Sequence, residues 1–254
     1  MLRRNFGGLS AARARGGFTL VELLVVIIII SILAAIAVPA VMRAVATANN
    51  ARIKTEIDML HMAIMQYKNE HGSYPPCVDF PTGTLNKHVN RLFPRATSGF
   101  TPALAVAVQP DTAISTWLSG YSDDPMAPLN GSRKKLFDFD ESRRSSDRFT
   151  APSKPKSPYI YIDSAHYTTG TGASTTLSTF TAADLAFAPP YTAYFAHRVP
   201  TTAAPNLFNN LNQPAFNADS FQILSAGRDE KFGNDDDMSN FWPGTRKDYL
   251  DSLK

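Results

Sequence analysis

A single cysteine, Cys77, stands in the 254 residues, and that scarcity excludes any intrachain disulfide. A domain of this chain facing an oxidising compartment is therefore held by its core or by a metal. With no His and Asp context, Cys77 reads as a small, partly buried side chain rather than a nucleophile. Histidine is nearly as sparse, and His61, His71, His88, His166 and His197 show no metal spacing such as HExxH. No serine lies in a GxSxG elbow and no phosphate loop occurs, so hydrolase and nucleotide chemistry have no motif to rest on. No internal repeat is present. Acidic residues are missing before Glu22, whereas Arg3, Arg4, Arg13 and Arg15 crowd the stretch before Phe18. These arginines make the formal charge of +3; without residues 1–17 the chain has 21 Lys and Arg against 22 Asp and Glu. A nucleic-acid partner thereby loses its main electrostatic support.

What is abundant is a single apolar run. From Phe18 to Val38 the chain reads FTLVELLVVIIIISILAAIAV, interrupted only by Thr19, Ser31 and one charge, Glu22. About 20 such residues, at about 1.5 Å each, cross a hydrocarbon layer of about 30 Å. A secretory signal has its small-residue cut site after the apolar run, but here Gly16 and Gly17 precede it. Cleavage is expected upstream, leaving the helix in the mature protein. The arginines predict an N-terminus on the cytoplasmic side and export of everything after Pro39. Glu22 is expensive in this position, about 2.5–3.5 kcal/mol on insertion scales, and so is a functional residue by default.

The stretch Gly17-Phe18-Thr19-Leu20-Val21-Glu22 resembles the prepilin motif of type IV pilins and type II secretion pseudopilins. The resemblance implies that a prepilin peptidase cuts between Gly17 and Phe18 and that Phe18 becomes a methylated N-terminus. It further implies that Glu22 meets the terminal amine of a neighbouring subunit during assembly, a pairing that makes a buried carboxylate tolerable.

Beyond Pro39, Ile53, Ile57, Leu60, Ile64 and Tyr67 fall at alternating spacings of four and three, one apolar stripe of a helix. His71-Gly72 followed by Pro75-Pro76 predicts its end. One helix from Phe18 to about His71, kinked at Pro39, is expected. The stripe covers only about two heptads, too few for a soluble coiled coil, so it is expected to pack on a sheet. Tyr159–Ile162 and Phe221–Leu224 read as short strands, and Arg133–Lys156, charged and proline-containing, as an exposed insertion.

Further matches are more particular. YKNEHGSYP, from Tyr67 to Pro75, is similar to the helix end of the type II secretion major pseudopilin. Asp124-Pro125 and Pro158-Tyr159 resemble two halves of that family's Asp-Pro-Trp-Gly…Pro-Tyr loop, here parted and without the Trp. FQILSAGRD, from Phe221 to Asp229, with Asp235-Asp236-Asp237-Met238, resembles its last strand and calcium loop. Carboxylates around a glycine suit a hard cation, although the spacing is not that of an EF-hand. By the resemblance Asp229, Asp235 and Asp237 bind Ca²⁺ with backbone carbonyls such as that of Ala226, and Asp236 points to solvent. Glu230 stands where the family has glycine.

The expected fold is α+β and pilin-like: a long N-terminal helix packed on a small antiparallel sheet, with loop insertions and a C-terminal acidic loop. Its organisation is a leader at 1–17, a transmembrane and assembly helix at 18–39, an amphipathic continuation at 40–72, and a periplasmic head at 73–254. The head holds the insertion at about 127–156 and the metal loop at about 225–242. The expected function is structural, as a pseudopilus subunit anchored in the inner membrane. Its expected partners are copies of itself, other pseudopilins, the prepilin peptidase and the secretion platform. The rival readings are a surface type IV pilin, which paired C-terminal cysteines would have favoured, and a membrane-tethered binding module.

Overall fold

The computed structural model describes residues 18–78, 83–96, 108–128, 131–145, 147–152, 157–166, 168–169, 176–177 and 216–253. The chain divides between Ala46 and Thr47 into two compact units. Helix α1, Leu20–His71, begins in the first and ends in the second.

In the first unit every residue from Phe18 to Val45 is exposed. This segment has a mean hydropathy of 3.1 over its most apolar window, none of it buried within the molecule. α1 is thus a helix long and apolar enough to cross a membrane. The helix continues through Pro39, whose missing N–H removes one bond of the ladder.

In the second unit α1 buries Ile53, Ile57, Leu60, Ile64 and Tyr67, each at most 1 % exposed. This is the predicted stripe, joined by Ala63. It shares one core with an antiparallel sheet ordered β3 (Ile160–Asp163), β6 (Phe221–Ser225), β7 (Met238–Ser239). In register, Ile160 faces Leu224, Asp163 faces Phe221, and Leu224 in turn faces Ser239. The other strands among the described residues form two short antiparallel pairs, β1–β2 (Arg144–Ser145 with Arg148–Phe149) and β4–β5 (Thr168–Thr169 with Thr176–Leu177). Every residue of β3 and β6 is buried, so both faces of the sheet centre are covered.

The helix end shows how the second face is sealed. Gly72, at φ 77°, sends its N–H to the Lys68 carbonyl and turns the chain out of α1, a conformation glycine adopts at little cost. The following Pro75 and Pro76 are buried, and buried carbonyls need donors. Tyr161 donates its hydroxyl to Pro75 O at 2.8 Å, and Trp117 of α3 (Ala113–Leu118) its indole N–H to Pro76 O at 2.8 Å. Asp163 completes the clamp by accepting the Cys77 N–H at 2.9 Å. Helix α2 (Thr84–Leu92) buries Leu85 and Val89 beside this clamp. The short C-terminal helix α4 (Arg246–Asp251) closes the described chain.

The exposed insertion expected at Arg133–Lys156 is corrected in its middle. Phe139, Phe149 and Ala151 belong to the core, and Phe137 meets Phe139 at 4.9 Å between ring centroids. Arg143 forks onto Glu56 of α1, with one bond of 2.8 Å from Nη1, and its guanidinium lies 4.5 Å from the Phe149 ring. Tyr159 adds its hydroxyl to the same carboxylate at 2.6 Å. The charges that look like a solvated loop are partly spent on this network.

Candidate functional site

The sequence places its first candidate site where α1 begins. Gly17 lies outside the described residues, and Phe18 is 88 % exposed. Thr19 precedes the first helical residue, and Glu22 is the third, which is the Thr-x-x-Glu spacing of a capping box. The bonds are those of that motif. Glu22 Oε2 accepts the Thr19 N–H and the Thr19 hydroxyl, each at 2.8 Å, and Thr19 Oγ1 accepts the Glu22 N–H at 3.2 Å. A carboxylate here also faces the positive end of the helix dipole.

Sequence reasoning assigns Glu22 an intermolecular partner and overlooks this local one, although the Thr-x-x-Glu pattern before an apolar run is its visible signal. Ser31, the remaining polar residue of the segment, returns its hydroxyl to Ile27 O at 2.7 Å. Thr19, Glu22 and Ser31 thus all find hydrogen bonds inside their own helix, as a segment in hydrocarbon requires.

The second candidate is the loop between β6 and β7. Gly227 has φ 62°, and a Cβ there would meet Asp236 O at 2.2 Å. Only glycine lets the two arms of the loop approach so closely. Asp236 Oδ2 accepts the Arg228 N–H at 2.7 Å, which corrects the expectation that Asp236 points to solvent. Asp229 accepts the Lys231 N–H at 2.9 Å and the Asn234 amide at 2.6 Å. Asp237, 1 % exposed, accepts the Gly233 N–H at 2.6 Å, and Asp235 lies 3.4 Å from Arg246. Glu230 has φ 62°, a left-handed backbone that glycine adopts without strain and other residues seldom do.

The loop is closed by α4. Thr245 and Asp248 form a second capping box, and the N–H groups of Arg246 and Lys247 bond the carbonyls of Asp237 and Asp235 at 2.7 and 2.8 Å. Among the described residues no three His, Cys, Asp or Glu side chains gather as a metal site. Asp229, Asp235 and Asp237 each direct a carboxylate oxygen to an N–H donor in this arrangement.

Three histidines pack within the second unit. His88 Nε2 lies 2.9 Å from the Tyr67 hydroxyl, and His61 Nδ1 lies 3.0 Å from the Asn240 amide. His71 meets the Tyr67 ring in a tilted contact, with centroids 4.4 Å apart. Burial, then the nearby Arg91 and His71 charges, push His88 down to about 4. His197 lies outside the described residues.

No curated protein and no solved structure matches the chain. One family model does, the prokaryotic N-terminal methylation motif, over residues 12–38. That stretch holds the Gly17-Phe18 junction, the Thr19–Glu22 cap and the apolar half of α1. The motif implies processing by a prepilin peptidase and assembly into a polymer in a membrane. Together the motif and the exposed apolar helix that carries it support a type IV pilin-like prepilin with a single-pass anchor.

Proposed function

We propose that the chain is a structural subunit of a type II secretion pseudopilus, which polymerises through α1 to drive protein export. The observation that carries this reading is a helix exposed from Phe18 to Val45, with one carboxylate, Glu22, placed a turn from its start. An apolar surface of that length needs lipid or other helices around it, and packing among copies supplies the second in a filament. The pseudopilus rather than a surface pilus is supported by the resemblance of YKNEHGSYP and FQILSAGRD to the major pseudopilin and by the single cysteine. On this reading the leader is removed at Gly17-Phe18, the N-terminus lies on the cytoplasmic side of the inner membrane, and the head is periplasmic. The partners are copies of the chain, other pseudopilins and the secretion platform.

Loss of the chain from its host is expected to trap secreted proteins in the periplasm and to leave surface motility intact. Export unchanged with motility lost would assign the chain to a surface pilus instead.

Calcium at the acidic loop is a separate proposal, supported by the resemblance and by the loop's composition. It requires Asp229 to release the Asn234 amide and Asp235 to turn from Arg246, so that the two join Asp237 around one ion.

A further inference from the structure

One face of α2 forms the wall of a cleft in the second unit. Thr84, Lys87, His88 and Arg91 follow the i, i+3, i+4, i+7 spacing and line a cavity of about 440 Å³ with Ser73 and Asp163. Leu85 and Val89 anchor the opposite side of the helix in the core.

The charge on this wall is unbalanced. Lys54, Lys134, Arg143, Arg148 and Arg246 all have acidic partners. Among the described residues no ion pair involves Lys87 or Arg91. They stand one turn apart, where like charges repel. Among the described residues of the lining Asp163 is the one acidic side chain; it is 5 % exposed and its Oδ2 already accepts the Cys77 N–H. His88 adds no charge at neutral pH, being held down to about 4 by burial and by Arg91. The Arg91 guanidinium is steadied by a bond from Nη2 to Ser73 Oγ.

We propose that this cleft binds an oxyanion, a carboxylate or phosphate group, between Lys87 and Arg91. Such a group relieves the repulsion along α2, and a guanidinium beside an ammonium offers it forked and point-charge donors together. The cleft volume lies in the range of small-ligand sites, so the anion can belong to a larger organic molecule.

The test is thermal melting of the full-length chain in detergent micelles at neutral pH, in chloride, acetate and phosphate at one ionic strength. Phosphate or acetate at about hundredfold excess over Kd is expected to raise Tm by about 5 °C or more over chloride. The Lys87→Gln/Arg91→Gln double variant, altered at exposed positions, is compared with its own curve in chloride and is expected to lose the shift. A shift confined to phosphate identifies a tetrahedral anion, and one shared with acetate a carboxylate; either supports the site. Equal melting in all three salts, or an undiminished shift in the double variant, overturns it.

Discussion

At the scale of single residues, Glu22 serves two purposes that substitution can separate. Its carboxylate caps α1 through Thr19, and its charge is the group that a neighbouring amine would neutralise. Gln preserves an acceptor for the cap but removes the charge, whereas Ala removes both. Glu22→Ala and Glu22→Gln are each expected to leave leader cleavage and membrane insertion intact and to reduce filament yield. The Ala variant additionally loses the bonds from Thr19 that start the helix. Filaments forming normally in both variants, seen by electron microscopy, would show that charge pairing plays no part.

His88 gives a second residue-scale prediction. Its folded pKa of about 4 lies below the ordinary 6.5, so the unfolded chain takes up the proton first as pH falls. The stability that neutral His88 supplies is complete above pH 6.5 and declines between 6.5 and 4, by about 2–3 kcal/mol in all. His61 and His71, also lowered by burial, act in the same direction. Melting temperatures measured from pH 7 to pH 4 should fall, and fall less steeply in His88→Gln. A flat profile in the native chain would mean the histidine environment is wetter than this packing implies.

At the scale of elements, the helix and the strands are legible in the sequence because each is governed by one local rule. The four-three spacing of Ile53 to Tyr67 specifies the buried face of α1, and Gly72 its end. Tyr159–Ile162 and Phe221–Leu224 read as strands from side-chain type, and the structure has β3 and β6 at Ile160–Asp163 and Phe221–Ser225. The β1–β2 region is not legible in this way. Its arginines look solvated until a distant partner is known, and Glu56 lies 87 positions from Arg143.

That network has a measurable consequence. Glu56→Ala leaves Arg143 and the Tyr159 hydroxyl without their shared carboxylate in a site where the paired side chains are each 14 % exposed. A loss of about 2–4 kcal/mol is expected, seen as a fall in Tm of roughly 5–15 °C, with Arg143→Ala similar. A change within about 2 °C would place the hairpin outside the cooperative core.

The acidic loop belongs to the same scale. Its hydrogen bonds and the α4 cap give it a closed form without metal, and the calcium proposal asks whether a second form is more stable. A bound ion at hundredfold excess over Kd adds about 2.7 kcal/mol, so the full chain should melt roughly 5–10 °C higher in calcium than in chelator. Asp237→Ala should remove most of the difference. Coincident curves would leave the loop as a turn held only by its own bonds.

At the scale of the whole molecule, the chain joins a helix that needs an apolar surrounding to a head with its own core. The anchor is legible from its length and its lone carboxylate, because the bilayer imposes simple rules. The head's connections are not, since they depend on pairings between segments far apart in sequence, such as Tyr161 with Pro75 and Arg148 with Asp111. The central claim is that this is a prepilin processed at one junction and assembled through the helix that follows. Mass spectrometry of the mature protein from its native membrane tests it most directly. The expected result is a chain beginning at Phe18 with a methylated amine; a chain that retains Met1 or begins after Val38 would contradict the account.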